Sequence, residues 1–247
     1  MNTKGFVTAS AACLCALAAA AAVLPSPALA RDAVAGVVID VKGKPQVRRS
    51  GKTADEALKV NKFVYEGDVI KTGAGELAAI AFVGGAEIRI NEGSEFIIES
   101  GGGRQSTSVF TKVGQAWTRL LHGRAGMSVR TPLAVAAVRG TEADVDVHDR
   151  MTVKVYEGLV DVSNDFGKQS LQAGMMTQVG AAGQAPAPAA KMSGGDYASW
   201  QNGLQPKDVE KKLDTLFKKA EKEKLLKLKF KDKDGKSKEV DMKLEKE

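Results

Sequence analysis

Between Ala35 and Gly180 the sequence predicts an all-β sandwich or barrel. Three observations predict it. Short runs of β-branched residues alternate with polar ones at period two. Glycine-containing turn signals recur about every 8 to 12 residues. No window in this stretch holds a helical period for three turns.

The elements follow in order along the chain. Val37-Val38-Ile39-Asp40-Val41 is the first strand, ended by Gly43-Lys44-Pro45, and Gln46-Val47-Arg48-Arg49 comes next. Thr53 to Leu58 is expected to form one short helical turn. Alternation returns at Asp68-Val69-Ile70-Lys71, Leu77 to Phe82, Glu87-Ile88-Arg89-Ile90 and Glu95-Phe96-Ile97-Ile98. After Gly101-Gly102-Gly103 come Ser108 to Thr111, Ala116 to Leu120 and Met127 to Arg130. The last group is Ala143 to Val147, Thr152 to Tyr156, Leu159 to Val162 and Ser170-Leu171. Val64-Tyr65-Glu66-Gly67 and Val155-Tyr156-Glu157-Gly158 each join two strands and read as similar hairpin turns, with glycine supplying a positive φ.

The remaining chain divides by composition. Ala181 to Ala190 is Ala/Pro-rich without a usable period, so residues 181–205 read as a linker between a β domain at 31–180 and a tail at 206–247. In the tail, Val209, Leu213, Leu216, Phe217 and Ala220 recur at spacings of three and four and predict a helix from about Lys207 to Lys224, with Pro206 at its start. The period then switches to two. Leu226, Leu228 and Phe230 alternate with lysines up to Asp234-Gly235, and Val240, Met242 and Leu244 alternate afterwards, which predicts a hairpin. Helix and hairpin are expected to pack on each other as a small appendage or to dock a protein partner.

At the other end, Met1 to Lys4 is polar with one positive charge, an apolar run follows, and Ala28-Leu29-Ala30 closes it. This is the pattern of a secretory signal at 1–30, cleaved after Ala30. Both cysteines, Cys13 and Cys15, fall inside it, so the mature chain has no disulfide or thiolate site. No stable transmembrane anchor is expected after cleavage.

Charge excludes one class of partner. Lys and Arg number 36 against 30 Asp and Glu, and residues 207–247 alone hold 15 Lys and 11 acids with no Arg. Bases and acids alternate there, whereas a phosphate-binding face needs uncompensated positive charge. Nucleic acid is not an expected partner.

The stretch from Val34 to about Val179 resembles the FecR domain family. The residues that carry the resemblance are Gly36-Val37-Val38, Gly43 to Arg48, Glu66 to Gly73, Gly85 to Asn91 and Ser94-Glu95-Phe96. The most specific are Val129-Arg130-Thr131-Pro132 through Val138-Arg139-Gly140-Thr141, followed by Thr152 to Val162. The resemblance implies a jelly-roll-like β-sandwich, periplasmic or extracellular, that acts as a sensor or binding module. In its best-known members the domain relays an outer-membrane transporter's state through a membrane helix to a sigma-factor regulator. This chain starts with a signal where those members have a cytoplasmic domain, so the resemblance does not extend to signalling across a membrane by this chain alone.

Arg130, Thr131, Pro132, Arg139, Gly140 and Thr141 are the candidate structural or ligand contacts. Pro132 lacks an N–H and suits a strand start or edge, and Gly140 permits a bulge. Arg130 and Arg139 sit at strand ends, where a guanidinium can grip carbonyls or a carboxylate.

A search for chemistry finds no catalytic constellation. Glu142, Asp144 and Asp146 share one face of a strand and are read as a solvated face balanced by Lys154 and Arg150, in preference to a calcium site. His122 and His148 are isolated, and no Gly-x-Ser-x-Gly elbow occurs. Gly51-Lys52-Thr53 and Gly235-Lys236-Ser237 fail as phosphate loops, because Gln46 and Phe230 stand where the first glycine belongs. Trp117, Phe110 and Tyr156 read as core rather than as a sugar-binding surface. The expectation is a non-catalytic exported module without metal or cofactor, binding an envelope protein or polysaccharide ligand in a signalling assembly. A structural scaffold that binds glycan or assembles with itself is the alternative.

Overall fold

A computed structural model describes residues 33–102, 106–121, 126–139, 142–197, 199–231 and 237–243, with side chains described up to residue 222. The signal expected at 1–30, Gly103, His122, Gly140, Thr141 and the turn expected at Asp234-Gly235 lie outside the described residues.

The strands are β1 (Val34–Lys42), β2 (Gln46–Arg48), β3 (Asp55–Ala57), β4 (Phe63–Tyr65), β5 (Val69–Thr72), β6 (Leu77–Phe82), β7 (Ala86–Ile90) and β8 (Ser94–Ser100). They continue with β9 (Thr107–Leu120), β10 (Met127–Arg130), β11 (Val135–Arg139), β12 (Glu142–Val147), β13 (Met151–Val155), β14 (Leu159–Asn164), β15 (Gly167–Gln172), β16 (Met175–Val179) and β17 (Ala190–Lys191). Helix α1 (Val209–Lys224) precedes β18 (Leu225–Lys231) and β19 (Ser237–Lys243).

Strands β1 to β17 form two sheets packed face to face, a jelly-roll-like sandwich. The front sheet runs β4-β1-β6-β7-β9-β12-β13-β16-β17. The back sheet runs β3-β2-β5-β8-β9-β10-β11-β14-β15. The period-two alternation explains the core between them. Ile80, Phe82, Ile88, Ile90, Val145 and Val153 point inward from the front sheet and meet Ile70, Phe96, Ile98, Val129, Val138 and Val160 from the back.

β9 belongs to both sheets. Its first half pairs with β8 and β10, and its second half, from Gly114, pairs with β7 and β12. β10 then returns to pair in parallel with the start of β9. Parallel neighbours need a long crossover, and the second half of β9 supplies it from within the other sheet. The bend is at Gly114, with φ 129°. A Cβ there would sit 2.4 Å from the Ser94 side chain, so only glycine fits.

Tyr65-Glu66-Gly67 and Tyr156-Glu157-Gly158 are corners, not the hairpin turns the sequence suggested. Each takes the chain from the front sheet to the back, β4 to β5 and β13 to β14, through a glycine at φ 84° or 74°. Asp68 locks the first corner by accepting hydrogen bonds from Tyr65 N (2.9 Å) and Arg49 Nη1 (2.6 Å). The expected helical turn at Thr53 to Leu58 is instead the short strand β3, paired to β2.

The tail holds the helix and hairpin that the periodicity predicts. The helix lies on the front sheet: Leu213, Leu216 and Ala220 bury against Val37, Ile39, Ala79 and Ala81. Alanine at the outward positions of β6 lets the helix come close, and burial of each large apolar side chain stabilises this contact by about 1.5–3 kcal/mol. Phe217 falls off the buried stripe and is exposed. In the hairpin, the register pairs Leu228 with Val240 and Lys229 with Glu239.

Residues 181–205, which read as a linker, run along the sandwich. Thr177 Oγ1 donates to Ala187 O at 2.6 Å, β17 pairs with β16, and Met192 and Leu204 are buried.

Candidate functional site

The inward set on β7 is Ile88 and Ile90, so strand alternation turns Glu87 and Arg89 outward. The same rule turns Gln115, Trp117 and Arg119 outward from β9, and Asp144 from β12. Register aligns these side chains across the sheet: Glu87 opposite Arg119, Arg89 opposite Trp117, and Trp117 opposite Asp144. The result is a polar cluster on the outer face of the front sheet.

This face is covered. A 3₁₀ turn at Trp200–Gly203, continuing to Gln205, lies over it and leads into α1. Glu87 is fully buried and is held by Arg89 Nε at 2.7 Å and Arg119 Nη2 at 2.8 Å. Both guanidiniums lie over the Trp117 ring, 4.7 and 5.4 Å from its centroid, a cation–π arrangement. Arg89 also reaches the covering segment, donating from Nη1 to Gln201 O at 2.7 Å and to Leu204 O at 3.3 Å.

Asp144 is 1% exposed. Its carboxylate accepts from Gln115 Nε2 at 2.9 Å and from Trp200 Nε1 at 3.2 Å. Gln115 is itself oriented by Asn91 Nδ2, which donates to its Oε1 at 2.7 Å. Burial pushes the Asp144 pKa up to about 6, with Asp146 adding to the rise, while the Gln115 and Trp200 hydrogen bonds and the Lys154 charge oppose it. The reading of Glu142, Asp144 and Asp146 as a solvated face is therefore corrected at Asp144. Its neighbour Asp146 is only partly buried and meets His148 Nδ1 at 2.7 Å.

Two donors in the cluster, Trp117 Nε1 and Arg119 Nε, are buried without an acceptor. Chemically, the face grips main-chain carbonyls through Arg89 and orients an indole through Asp144. Among the described residues no group of His, Cys, Asp and Glu is placed to hold a metal ion.

The residues singled out in the sequence sit elsewhere and do not converge. Arg130 and Arg139 stand at opposite ends of the β10–β11 pair. Arg130 Nη1 donates to Glu99 Oε1 at 2.9 Å, and Arg139 lies 3.3 Å from Asp161. Asp161 is held below the usual carboxylate range, first by the Ser170 hydroxyl and then by Lys168 and Arg139. The Thr131 hydroxyl closes the turn around exposed Pro132, donating to Ala134 O and accepting from Leu133 N and Ala134 N. Gly140 and Thr141 lie outside the described residues.

Of the aromatics, Trp117 is buried, but under the cover rather than in the sandwich core. Tyr156 stacks on Tyr197 of the covering stretch at 5.6 Å. Sequence reasoning missed Glu87, Arg89, Arg119 and Trp200. The available signal was the Glu87-x-Arg89 pair in an otherwise apolar strand, with Arg119 two positions after a tryptophan.

Comparison with known proteins adds the following. The family model described as FecR protein matches residues 68–161. No curated protein matches the chain. Two crystal structures of a candidate anti-sigma factor from Parabacteroides distasonis ATCC 8503 are similar to it, each at 19% identity with a TM-score of 0.45. Each covers 51% of this chain, and the match spans 60% of the other protein's length.

Proposed function

We propose that this chain, whose residues 68–161 match the family model described as FecR protein, is a non-catalytic sensor module, exported to the cell envelope, that binds a protein partner within a signalling assembly. The observation that carries the reading is the family match, which spans β5 to β14 and so includes the strands that bear the polar cluster. Two further features support it. The two most deeply buried carboxylates of the cluster are occupied, Glu87 by two arginines and Asp144 by two N–H donors. Such groups position and recognise; a general acid or base needs free access to a substrate proton. The charged start, apolar run and Ala28-Leu29-Ala30 at the N-terminus support export.

The test is fractionation followed by affinity capture from cross-linked envelopes. The reading expects a mature form beginning at Arg31 outside the cytoplasm and a defined protein in the cross-linked complex. Recovery of sacculus or polysaccharide in place of a protein would contradict it, as would a full-length chain retained in the cytoplasm.

A further inference from the structure

We propose that Trp200–Gln205 is a built-in occupant of a peptide-binding face on the front sheet, which a partner protein fills in trans with a segment bearing an aromatic side chain and free main-chain carbonyls. This rests on the binding-module reading above and names the face that such a module uses.

Three observations carry it. The first is the chemistry of the contact. Where α1 covers the same sheet the interface is mainly apolar, made by Leu213, Leu216 and Ala220 on Val37, Ile39, Ala79 and Ala81, with one main-chain contact from Lys212 Nζ to Ile39 O. Under Trp200–Gln205, Leu204 joins the same apolar cluster and Trp200 packs against it, but polar anchors are added and several address the main chain. Arg89 binds Gln201 O and Leu204 O, Asp40 Oδ2 accepts from Gln205 N at 2.7 Å, and Asp144 takes the Trp200 indole N–H. Main-chain recognition is tolerant of side-chain identity, so another segment of similar path can use the same anchors.

The second is that the fit is incomplete. Trp117 Nε1 and Arg119 Nε are buried with no acceptor while the segment is seated. Trp117 is 3% exposed, and its ring lies beneath Arg89, the residue that grips the segment. Buried donors are nearly always satisfied in a finished structure. An occupant that brings a carbonyl or carboxylate within reach of either donor would satisfy it.

The third is how the segment is tethered. Gly194 and Gly195 precede it, and a Cβ at either would meet nothing within 4 Å. The apolar grip of α1 follows it. Filling of the face in trans requires the segment to lift between these two points, with release of the Tyr156–Tyr197 stack, while the helix stays on the sheet.

The experiment uses the full mature chain and a labelled synthetic peptide of residues 193–206. In the wild type the face is filled in cis at high effective concentration, which suppresses binding of the peptide. In W200A/L204A, checked for folding by circular dichroism, the peptide should bind at least tenfold more tightly than to the wild type. Equal binding by both proteins, or none by the folded variant, would overturn the proposal.

Because Leu204 is buried, hydrogen exchange on the unmutated chain gives an independent reading. The amides of 199–205 should exchange at least tenfold faster than those of residues 213–220. Exchange of both segments at the same rate as β9 would also overturn it. Peptide binding without a captured envelope protein would remove the signalling reading and leave the face standing. A captured protein without peptide binding would overturn the face alone.

Discussion

The indole Nε1 of Trp200 lies 3.2 Å from Oδ2 of Asp144, joining two residues 56 positions apart in the chain. One is the tip of a covering segment and the other the centre of a strand. Their contact, with that of Gln115, closes over a carboxylate that the strand alone would leave in solvent.

The first expected outcome concerns pH. The folded-state pKa of Asp144 is raised from 3.8 to about 6. The folded protein therefore binds this proton more tightly than the unfolded chain does. Its contribution to stability is complete below about 3.8 and is lost as pH rises through about 6. The full shift corresponds to about 3 kcal/mol. The melting temperature should rise as pH falls from 7.5 to 5, and Asp144→Asn should flatten that rise. Gln115 Nε2 donates to Oδ1 and Trp200 Nε1 to Oδ2, so the single oxygen of the new amide keeps one of these two bonds. The variant is therefore compared with wild type by the slope of its melting temperature against pH, not by its absolute stability.

Glu87 should be the most sensitive of the charged residues. It is fully buried between Arg89 and Arg119. Glu87→Ala leaves the Arg89 charge buried without its partner, a change that costs about 3–5 kcal/mol. Arg119→Ala should cost under about 1.5 kcal/mol, because that side chain is 39% exposed and solvent screens its charge. Urea denaturation of the two variants gives the comparison.

Gly114 tests the account of β9. Any side chain there needs both the φ of 129° and space now held by Ser94. Gly114→Val should destabilise by at least about 2 kcal/mol, and pairing it with Ser94→Gly should recover only a fraction, because the residue 94 Cα still stands 2.7 Å from the new Cβ. Full stability of Gly114→Val in chemical denaturation would show that β9 does not bend at this point.

On the helix, position decides the effect. Leu216 is fully buried against the front sheet, whereas Phe217 is exposed. Leu216→Ala should cost about 2–5 kcal/mol and expose the 190–208 stretch to limited proteolysis. Phe217→Asp should stay within about 0.5 kcal/mol of the wild type.

The inward half of the sandwich was legible from sequence because each strand carries its own evidence. Ile88 and Ile90, or Val153 and Val155, alternate with polar residues whatever the rest of the chain does. The outward half was not legible, because what covers it comes from far along the chain. Glu87 and Arg89 look like a solvated face until Gln201 and Leu204 are laid on them, and the cue for that is not in the local pattern. For the same reason Asp144 read as exposed. The helix stripe is visible in the spacing, but the spacing includes Phe217, since it does not say how wide a strip the sheet covers. Tyr65-Glu66-Gly67 and Tyr156-Glu157-Gly158 carried the glycine of a turn without showing that the next strand joins the opposite sheet. Arg130 and Arg139 were conspicuous as motif residues, yet their partners, Glu99 and Asp161, make them ties between strands.

The central claim is that a protein partner is bound through the front sheet, and site-specific photo-cross-linking in living cells tests it most directly. A photoreactive phenylalanine is placed at Arg119, at the open side of the polar cluster, or at Lys168 on the back sheet, where the side chain is 57% exposed. The account predicts one discrete protein adduct from position 119 and none from position 168. An adduct only from position 168, or equal labelling from both, would contradict it.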